Sequence, residues 1–194
     1  MIPELNQSGV LPPYDAAIGP TSSASMAPYE ASMTEFVRKY ATSPERIAIL
    51  RGLLDFRKKL LSLGINTGHQ WLDGSFVEDV EKNRGCPPND IDIVTFALRP
   101  QQCATISDWK QLHTDNIELF ESDKTKEQYR CDAYYVDLQA HPLLIVELTR
   151  FWFGLFSHQK ESSLWKGMIK ISLQSDDGEA LKLLKEGVGN AQKA

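Results

Sequence analysis

The sequence predicts an α+β domain in which helices flank a mixed β-sheet, preceded by an extended N-terminal arm. Strand-like and helix-like segments alternate along the chain, and no segment recurs at a fixed period, which argues against a solenoid or a propeller. The 194 residues are 42% hydrophobic and 24% charged, a composition typical of globular domains. A chain of this length buries enough surface to fold without disulfides or a structural metal.

The arm is predicted over residues 1–30, because the prolines and glycines there disfavour helices and strands. It also carries apolar residues that can pack across the domain: Ile2, Leu5, Val10, Leu11 and Tyr14. We expect the folded domain to occupy residues 31–186. The Gly-, Ala- and Lys-containing tail, 187–194, is expected to fray.

Two helices are predicted directly after the arm, the first a short one over 31–40. The second begins at Ser43, which can cap free N–H groups, and Pro44, which suits the first helical position. Apolar residues then recur at helical spacing until Gly64, namely Ile47, Leu50, Leu54 and Leu61. The basic triplet at 57–59 is expected to be a solvated face near the helix C-terminus, with phosphate or nucleic-acid binding as the alternative.

The remaining elements follow from local composition. The short apolar segment 70–72 turns at 73–75 and leads into a short helix that ends near Val80. A run of β-branched and aromatic residues predicts a buried strand at 91–96. We further expect helices at 107–120 and 142–156, strands at 131–138 and 167–173, and a last helix capped by Ser175 or Asp176 with Glu179.

Charge and cysteine usage exclude several classes of protein. The formal net charge of -5 argues against general binding of duplex DNA. An odd number of widely spaced cysteines, Cys86, Cys103 and Cys131, argues against a disulfide framework or a zinc site. The N-terminus lacks a signal-peptide pattern, and the most apolar segment, 143–156, is too short to span a membrane. We therefore expect a reduced, cytoplasmic protein without a membrane segment.

Candidate chemistry lies in Asp90 and Asp92, which follow a Gly74-Ser75 turn. Residues two apart in a strand point to the same face, so the two carboxylates would project together. Adjacent carboxylates repel, and a divalent cation such as Mg²⁺ relieves the repulsion. Glycine and serine in a turn can hold a phosphate closely. The alternative is structural: Asp90 serves as a turn residue and Asp92 is merely exposed.

These residues resemble the metal-binding motif of polymerase-β-type nucleotidyltransferases, in which a glycine-serine turn precedes two aspartates on the next strand. The spacing is at the long end for that superfamily because the loop 82–89 is extended. Nearly the whole chain is also similar to a little-characterised bacterial family of nucleotidyltransferase-like proteins, over stretches 2–13, 70–78, 88–94, 131–134 and 165–167. The resemblance implies the nucleotidyltransferase fold, Mg²⁺ or Mn²⁺ as cofactor and ATP as the nucleoside triphosphate.

The superfamily commonly adds a third acid from a later strand, for which Asp132 and Asp137 are the candidates. Their odd spacing places them on opposite faces of a strand, so only one can join the site. The resemblance around Asp132 favours that residue over Asp137. Lys166 is the preferred phosphate contact within a basic segment that includes Arg150, although a solvated loop is the alternative.

Aromatic side chains near the later strand and helix could stack a nucleobase: Tyr134, Tyr135, Trp152 and Trp165. Because other aromatic residues adjoin them, a core role is the competing interpretation. The histidines are scattered and lack the spacing of a metal site or a hydrolase triad.

The sequence therefore predicts an enzyme that transfers a nucleoside monophosphate, AMP from ATP, to a hydroxyl of an RNA, a protein or a small molecule. Asp90, Asp92 and Asp132 would hold the metal, Asp132 would help to deprotonate the acceptor, and Gly74 with Ser75 would hold the triphosphate. The resemblance also implies a place in a toxin-antitoxin or phage-defence pair. The competing hypothesis is a module of the same fold that binds a nucleotide or a partner protein without catalysis.

Overall fold

A five-stranded mixed sheet is the centre of the computed structural model, which describes residues 1–160 and 162–191. The strands are β1 (Tyr29–Glu30), β2 (Gly68–Asp73), β3 (Ile91–Ala97), β4 (Cys131–Asp137) and β5 (Ile169–Ser172). Their order in the sheet is β1-β5-β2-β3-β4. Strand β2 is antiparallel to both β3 and β5, whereas β3 and β4 are parallel, as are β1 and β5.

Seven helices accompany the sheet in the described part of the chain. They are α1 (Met33–Tyr40), α2 (Pro44–Ser62), α3 (Val80–Arg84), α4 (Ile106–Asp115), α5 (Ser122–Tyr129), α6 (Pro142–Phe156) and α7 (Asp177–Ala191). The prediction of an α+β domain with a mixed sheet flanked by helices is confirmed. No helix in residues 1–160 and 162–191 has the length and apolar character needed to cross a membrane.

Helix α5 was not predicted, and the expected helix at 107–120 is shorter than its pattern indicated. Helix α4 ends at Asp115, and a 3-10 turn follows at Ile117–Leu119. The α5 sequence is mostly polar, and only Thr125 and Tyr129 are buried. A helix with so few buried positions has no apolar periodicity from which it could be recognised.

The basic triplet on α2 does not form a wholly solvated face, because Arg57 is fully buried. Its guanidinium donates to both carboxylate oxygens of Asp177 at 2.7 and 2.9 Å, and to Gln70 Oε1 at 2.7 Å. Lys58 and Lys59 are exposed, as expected. Local sequence could not identify Arg57 as buried, since its main partner lies 120 residues further along the chain.

Side chains alternate between the two faces of the sheet and fill two hydrophobic clusters. On one face, Leu72 and Ile93 pack with helices α1, α2 and α7 in the larger cluster. On the opposite face, which we call the α6 face, Trp71 and Val94 pack with Trp152 of α6. Because alternate residues share a face, Asp73, Asp92 and Asp132 also lie on the α6 face.

The first residues of the chain pack on the domain through buried apolar side chains and backbone hydrogen bonds. Val10 and Leu11 are fully buried. The Leu11 carbonyl accepts a hydrogen bond from the Gly167 N–H at 2.8 Å, and the Gly9 carbonyl accepts one from the Asp79 N–H at 2.8 Å. At the other end, α7 continues through Ala191, and residues 192–194 of the predicted frayed tail lie outside the described residues.

Candidate functional site

Three aspartates lie side by side at one end of the sheet, and we call them the acidic row. The strand register pairs Asp73 of β2 with Asp92 of β3, and Asp92 with Asp132 of β4. Neighbouring strands are about 4.8 Å apart, so the three side chains project from adjacent positions of one face. Asp73 is buried, while Asp92 and Asp132 are partly exposed. The sheet thereby concentrates negative charge at one end of its strands.

The predicted glycine-serine turn lies directly against this row. Gly74 follows β2 with φ 81° and ψ -166°, a conformation that is essentially restricted to glycine. A Cβ atom at Gly74 would overlap Asp92 Oδ2 and would lie 2.8 Å from Asp92 Cγ. A 3-10 turn at Ser75–Val77 begins immediately after it. The absence of a side chain at Gly74 thus allows the turn to contact the Asp92 carboxylate.

Asp90 lies beside the row and shares a lysine with Asp132. The Nζ atom of Lys126, on helix α5, is 3.1 Å from Asp90 Oδ2 and 2.8 Å from Asp132 Oδ2. The hydrogen bond to Asp132 is the largest cause that raises the pKa of Lys126 above its usual value. The other oxygen, Asp132 Oδ1, is buried and has no hydrogen-bond partner among the residues that the structure describes.

Among the described residues, no ion pair reaches Asp92, whereas Asp73 pairs with Lys166 and Asp132 with Lys126. Burial is the main cause that raises the pKa of Asp92 to about 6, and repulsion by Asp90 and Asp132 adds to the effect. No hydrogen bond from the described residues opposes this rise. An added positive charge would therefore stabilise the Asp92 carboxylate.

Lys166 is buried beneath the row, whereas the sequence analysis expected a phosphate contact or a residue of a solvated loop. Its side chain is 3% exposed, and Nζ is 2.9 Å from Asp73 Oδ1 and 3.1 Å from Glu78 Oε1. Burial lowers the pKa of Lys166, but the two carboxylates outweigh that effect and raise it overall. Lys166 Nζ is also 3.5 Å from the Gly74 carbonyl oxygen. The lysine therefore offsets part of the cost of burying Asp73, whose pKa burial still raises to about 7, and it supports the turn from below.

An open cavity of about 750 Å³ lies above the row. Asp73, Asp92 and Asp132 line one side of it, together with Gly74 and Ser75. Aromatic and basic side chains line the remainder, among them Tyr134, Trp152, Phe156, Arg84, His158 and Lys160. The cavity thus joins carboxylates, a turn that can donate hydrogen bonds, and apolar rings, in a space large enough for a nucleotide-sized molecule.

The structure separates the other sequence-predicted candidates. Asp137 lies at the far end of β4, where Arg99 is 2.8 Å from its carboxylate, so of the two candidate acids only Asp132 joins the row. Tyr135 packs against Trp109, away from the cavity. Trp165 lies against Tyr14 of the arm.

Sequence reasoning missed three residues of the site: Asp73, Glu78 and Lys126. Asp73 directly precedes the glycine-serine turn, so its place at the end of a strand could have identified it. Glu78 becomes relevant only because the fold brings Lys166 to it over a long stretch of chain. Lys126 lies on helix α5, whose polar sequence gave no sign of the helix.

The donor set fits a cation held by two carboxylates. In the described part of the chain, no group of three or more His, Cys, Asp or Glu side chains is arranged to hold a metal ion. Lys126 engages Asp90 and one oxygen of Asp132, and Lys166 engages Asp73, whereas Asp92 and Asp132 Oδ1 have no hydrogen-bond partner in the described residues. Mg²⁺ is usually bound by one or two carboxylates together with substrate phosphates. Asp92 and Asp132 match that requirement.

Comparison with known proteins identifies the family of the chain. A family model described as a family of unknown function, DUF6932, matches residues 3–172. No curated protein and no solved structure matches the chain. The chain is thus similar to a family of unknown function over most of its length, while the relation to nucleotidyltransferases stays a prediction.

Proposed function

The chain belongs to the DUF6932 family, and from the acidic row and its turn we propose that it is a Mg²⁺-dependent nucleotidyltransferase. The proposed reaction transfers a nucleoside monophosphate, AMP from ATP, to a hydroxyl of an RNA, a protein or a small molecule: the acceptor oxygen bonds to the α-phosphorus, the bond from that phosphorus to the β-phosphate oxygen breaks, and pyrophosphate leaves. One observation carries the proposal: Asp92 and Asp132 lie next to Gly74 and Ser75 at the edge of a cavity. The proposed fold is correspondingly that of polymerase-β-type nucleotidyltransferases.

Asp92 and Asp132 would hold the cation, because Asp92 and the Oδ1 atom of Asp132 have no hydrogen-bond partner in the described part of the chain. When bound, Mg²⁺ supplies charge neutralisation of the triphosphate and orients it for attack. Asp132 is also proposed to accept the proton of the acceptor hydroxyl. Asp90, which the sequence analysis placed among the ligands, lies beside the pair and is held by Lys126 in the structure.

Gly74 and Ser75 are proposed to hold the triphosphate. The glycine lets the backbone come close to Asp92, so phosphate and carboxylate oxygens could share one cation. The Ser75 hydroxyl and the N–H groups at the start of the 3-10 turn can donate hydrogen bonds to phosphate oxygens. Lys166 acts on the phosphates indirectly, by holding Asp73 and the turn in place.

Tyr134 and Trp152 offer a surface for the nucleobase. Their ring centroids are 4.5 Å apart, both residues line the cavity, and Tyr134 is 38% exposed. Stacking on aromatic side chains tolerates different bases. We therefore assign these two rings to the base.

The test is incubation of the purified protein with α-labelled ATP, Mg²⁺ and candidate acceptors, including RNA and proteins that copurify with it. We expect label on an acceptor with the wild type and at least about a hundredfold less with Asp92→Asn, the range found when one transition-state contact is lost. Asp55→Asn is the matched control, because Asp55 is exposed on α2 outside the cavity. Equal labelling by the wild type and Asp92→Asn would refute the proposal.

A second candidate function, a nucleotide- or partner-binding module without turnover, is favoured by the position of Lys126. Its ammonium group already offsets part of the negative charge of Asp90 and Asp132, so these two carboxylates do not depend on a metal alone for a counter-ion. Calorimetry separates the two functions. Mg²⁺-dependent binding of ATP, with no product across RNA, protein and small-molecule acceptors, would favour the module.

A further inference from the structure

Two lysines each bridge a pair of carboxylates at this site, and they differ sharply in exposure. Lys166 is 3% exposed between Asp73 and Glu78, and it is enclosed by protein. Lys126 is 45% exposed between Asp90 and Asp132, and it reaches them from the surface of helix α5. A buried ammonium group cannot leave without a large loss of free energy, whereas an exposed one can exchange its partners for water.

From this difference we propose that Lys126 occupies the place of a divalent cation between Asp90 and Asp132 and thereby sets how tightly the site binds one. The inference rests on the proposed function, because it concerns the same acidic site. In the resting protein the ammonium group offsets part of the negative charge of Asp90 and Asp132. When a cation enters, the lysine side chain swings outward and Asp90 becomes available as a further ligand.

The backbone that carries Lys126 is fixed, so only the side chain has to move. The neighbouring Thr125 accepts a hydrogen bond from the Ala133 N–H of β4 at 3.3 Å. At the end of the helix, Tyr129 packs against Phe56 of α2, with ring centroids 5.7 Å apart. The four-carbon side chain of lysine is flexible and its charge is compact, which suits a reversible contact.

The charges of the three neighbouring carboxylates explain why the ammonium group of Lys126 is needed when no metal is bound. Asp90, Asp92 and Asp132 bring three carboxylates together, and Lys126 is the cation that bridges two of them. Without it, the repulsion that already acts on Asp92 would be uncompensated. A triphosphate carries its own negative charges, so it gives the released ammonium group a new partner. Lys126 is therefore a positioning residue. It favours the binding of a cation that arrives together with a nucleotide.

The experiment is a titration with Mn²⁺ alone, followed by electron paramagnetic resonance of free Mn²⁺, in the absence of nucleotide. Lys126→Met keeps the length of the side chain and removes its charge. We expect it to bind Mn²⁺ about tenfold more tightly than the wild type, since a partly exposed pair of ion contacts no longer competes. Lys124→Met is the matched control. Lys124 lies on the same helix, is 49% exposed and pairs with Glu121, so its removal should leave Mn²⁺ affinity unchanged.

Equal Mn²⁺ affinity of Lys126→Met and the wild type would overturn the inference, as would weaker binding or none by the variant. Because no nucleotide is present, a failure of nucleotidyl transfer leaves this result intact. Thermal unfolding is a second measurement, and it detects any loss of stability of the variant. In chelator Lys126→Met should melt below the wild type, and Mg²⁺ should raise its melting temperature more than that of the wild type at equal ionic strength. The same shift in both proteins would contradict the inference.

Discussion

Gly74→Ala tests the contact between the turn and the acidic row with the smallest possible change. The substitution adds one methyl group to the residue that joins β2 to the 3-10 turn. Two effects are expected from the structure. Alanine at this position must adopt a backbone conformation that it normally avoids. In addition, its Cβ atom overlaps the Asp92 carboxylate.

The magnitude follows from these two effects. A non-glycine residue at φ 81° and ψ -166° costs about 1–3 kcal/mol. Forcing a methyl group into packed atoms costs about 1–3 kcal/mol more. We therefore expect Gly74→Ala to lower the free energy of unfolding by about 2–6 kcal/mol, the sum of the two. It should also weaken Mn²⁺ binding, because the Asp92 carboxylate has to leave its present position.

The assay is urea unfolding followed by tryptophan fluorescence, with Gly85→Ala as the control. Gly85 also has a positive φ, 69°, but a Cβ there would meet nothing within 4 Å. Gly85→Ala therefore reports the cost of left-handed backbone alone, about 1–2 kcal/mol. If Gly74→Ala is as stable as Gly85→Ala and binds Mn²⁺ like the wild type, the turn does not contact Asp92 as described.

Three further predictions concern the fold and the charge of the site. Arg57→Met should lower the free energy of unfolding by about 3–5 kcal/mol, because it leaves the Asp177 carboxylate, only 20% exposed, and the buried Gln70 side chain without their partner, whereas exposed Lys58→Met should change it by at most about 0.5 kcal/mol. Urea titration measures both changes. Leu11→Ala should cost about 2–5 kcal/mol in the same assay if the arm is part of the core, and exposed Ile18→Ala should cost little; equal effects would mean that the arm does not stabilise the domain. The raised pKa of Asp92, about 6, means that the folded state holds this proton more tightly than the unfolded state, so stability should fall as pH rises from about 4 to about 6. Asp92→Asn should reduce this fall, and Asp73, whose pKa burial raises to about 7, should account for the fall that remains. An unchanged profile would contradict the assignment to Asp92.

Much of the fold could be predicted because its elements carry local signals. Helix α2 has a capping serine, a proline at its first position and a regular apolar stripe, and the structure places it at Pro44–Ser62. Helix α6 spans Pro142–Phe156, the range that the apolar run predicted. Helix α5 was missed because its stability comes from the contacts that it makes with α2 and β4, which its own sequence does not reveal.

In the candidate site, too, some residues could be predicted from local sequence and others depend on tertiary contacts. Gly74, Asp90 and Asp92 could be singled out because they are close in sequence and their residue types suit metal and phosphate chemistry. The choice between Asp132 and Asp137 depends on how β4 is aligned against β3, and only the register Asp92 to Asp132 decides it. The exposure of Lys166 was wrongly predicted for a related reason: a basic residue in a polar loop is usually solvated, but here the loop folds over Asp73 and Glu78.

By itself, the sequence determined the α+β architecture, most element boundaries and the pairing of a glycine-serine turn with two nearby acids. Each of these depends on interactions within a few residues, such as capping, periodicity and alternation along a strand. Only the tertiary structure decided that Asp73, Asp92 and Asp132 form one row, that Lys166 is buried beneath it and that Lys126 bridges its outer side. Those outcomes depend on pairing between distant strands and on the burial of charge, and a local pattern encodes neither.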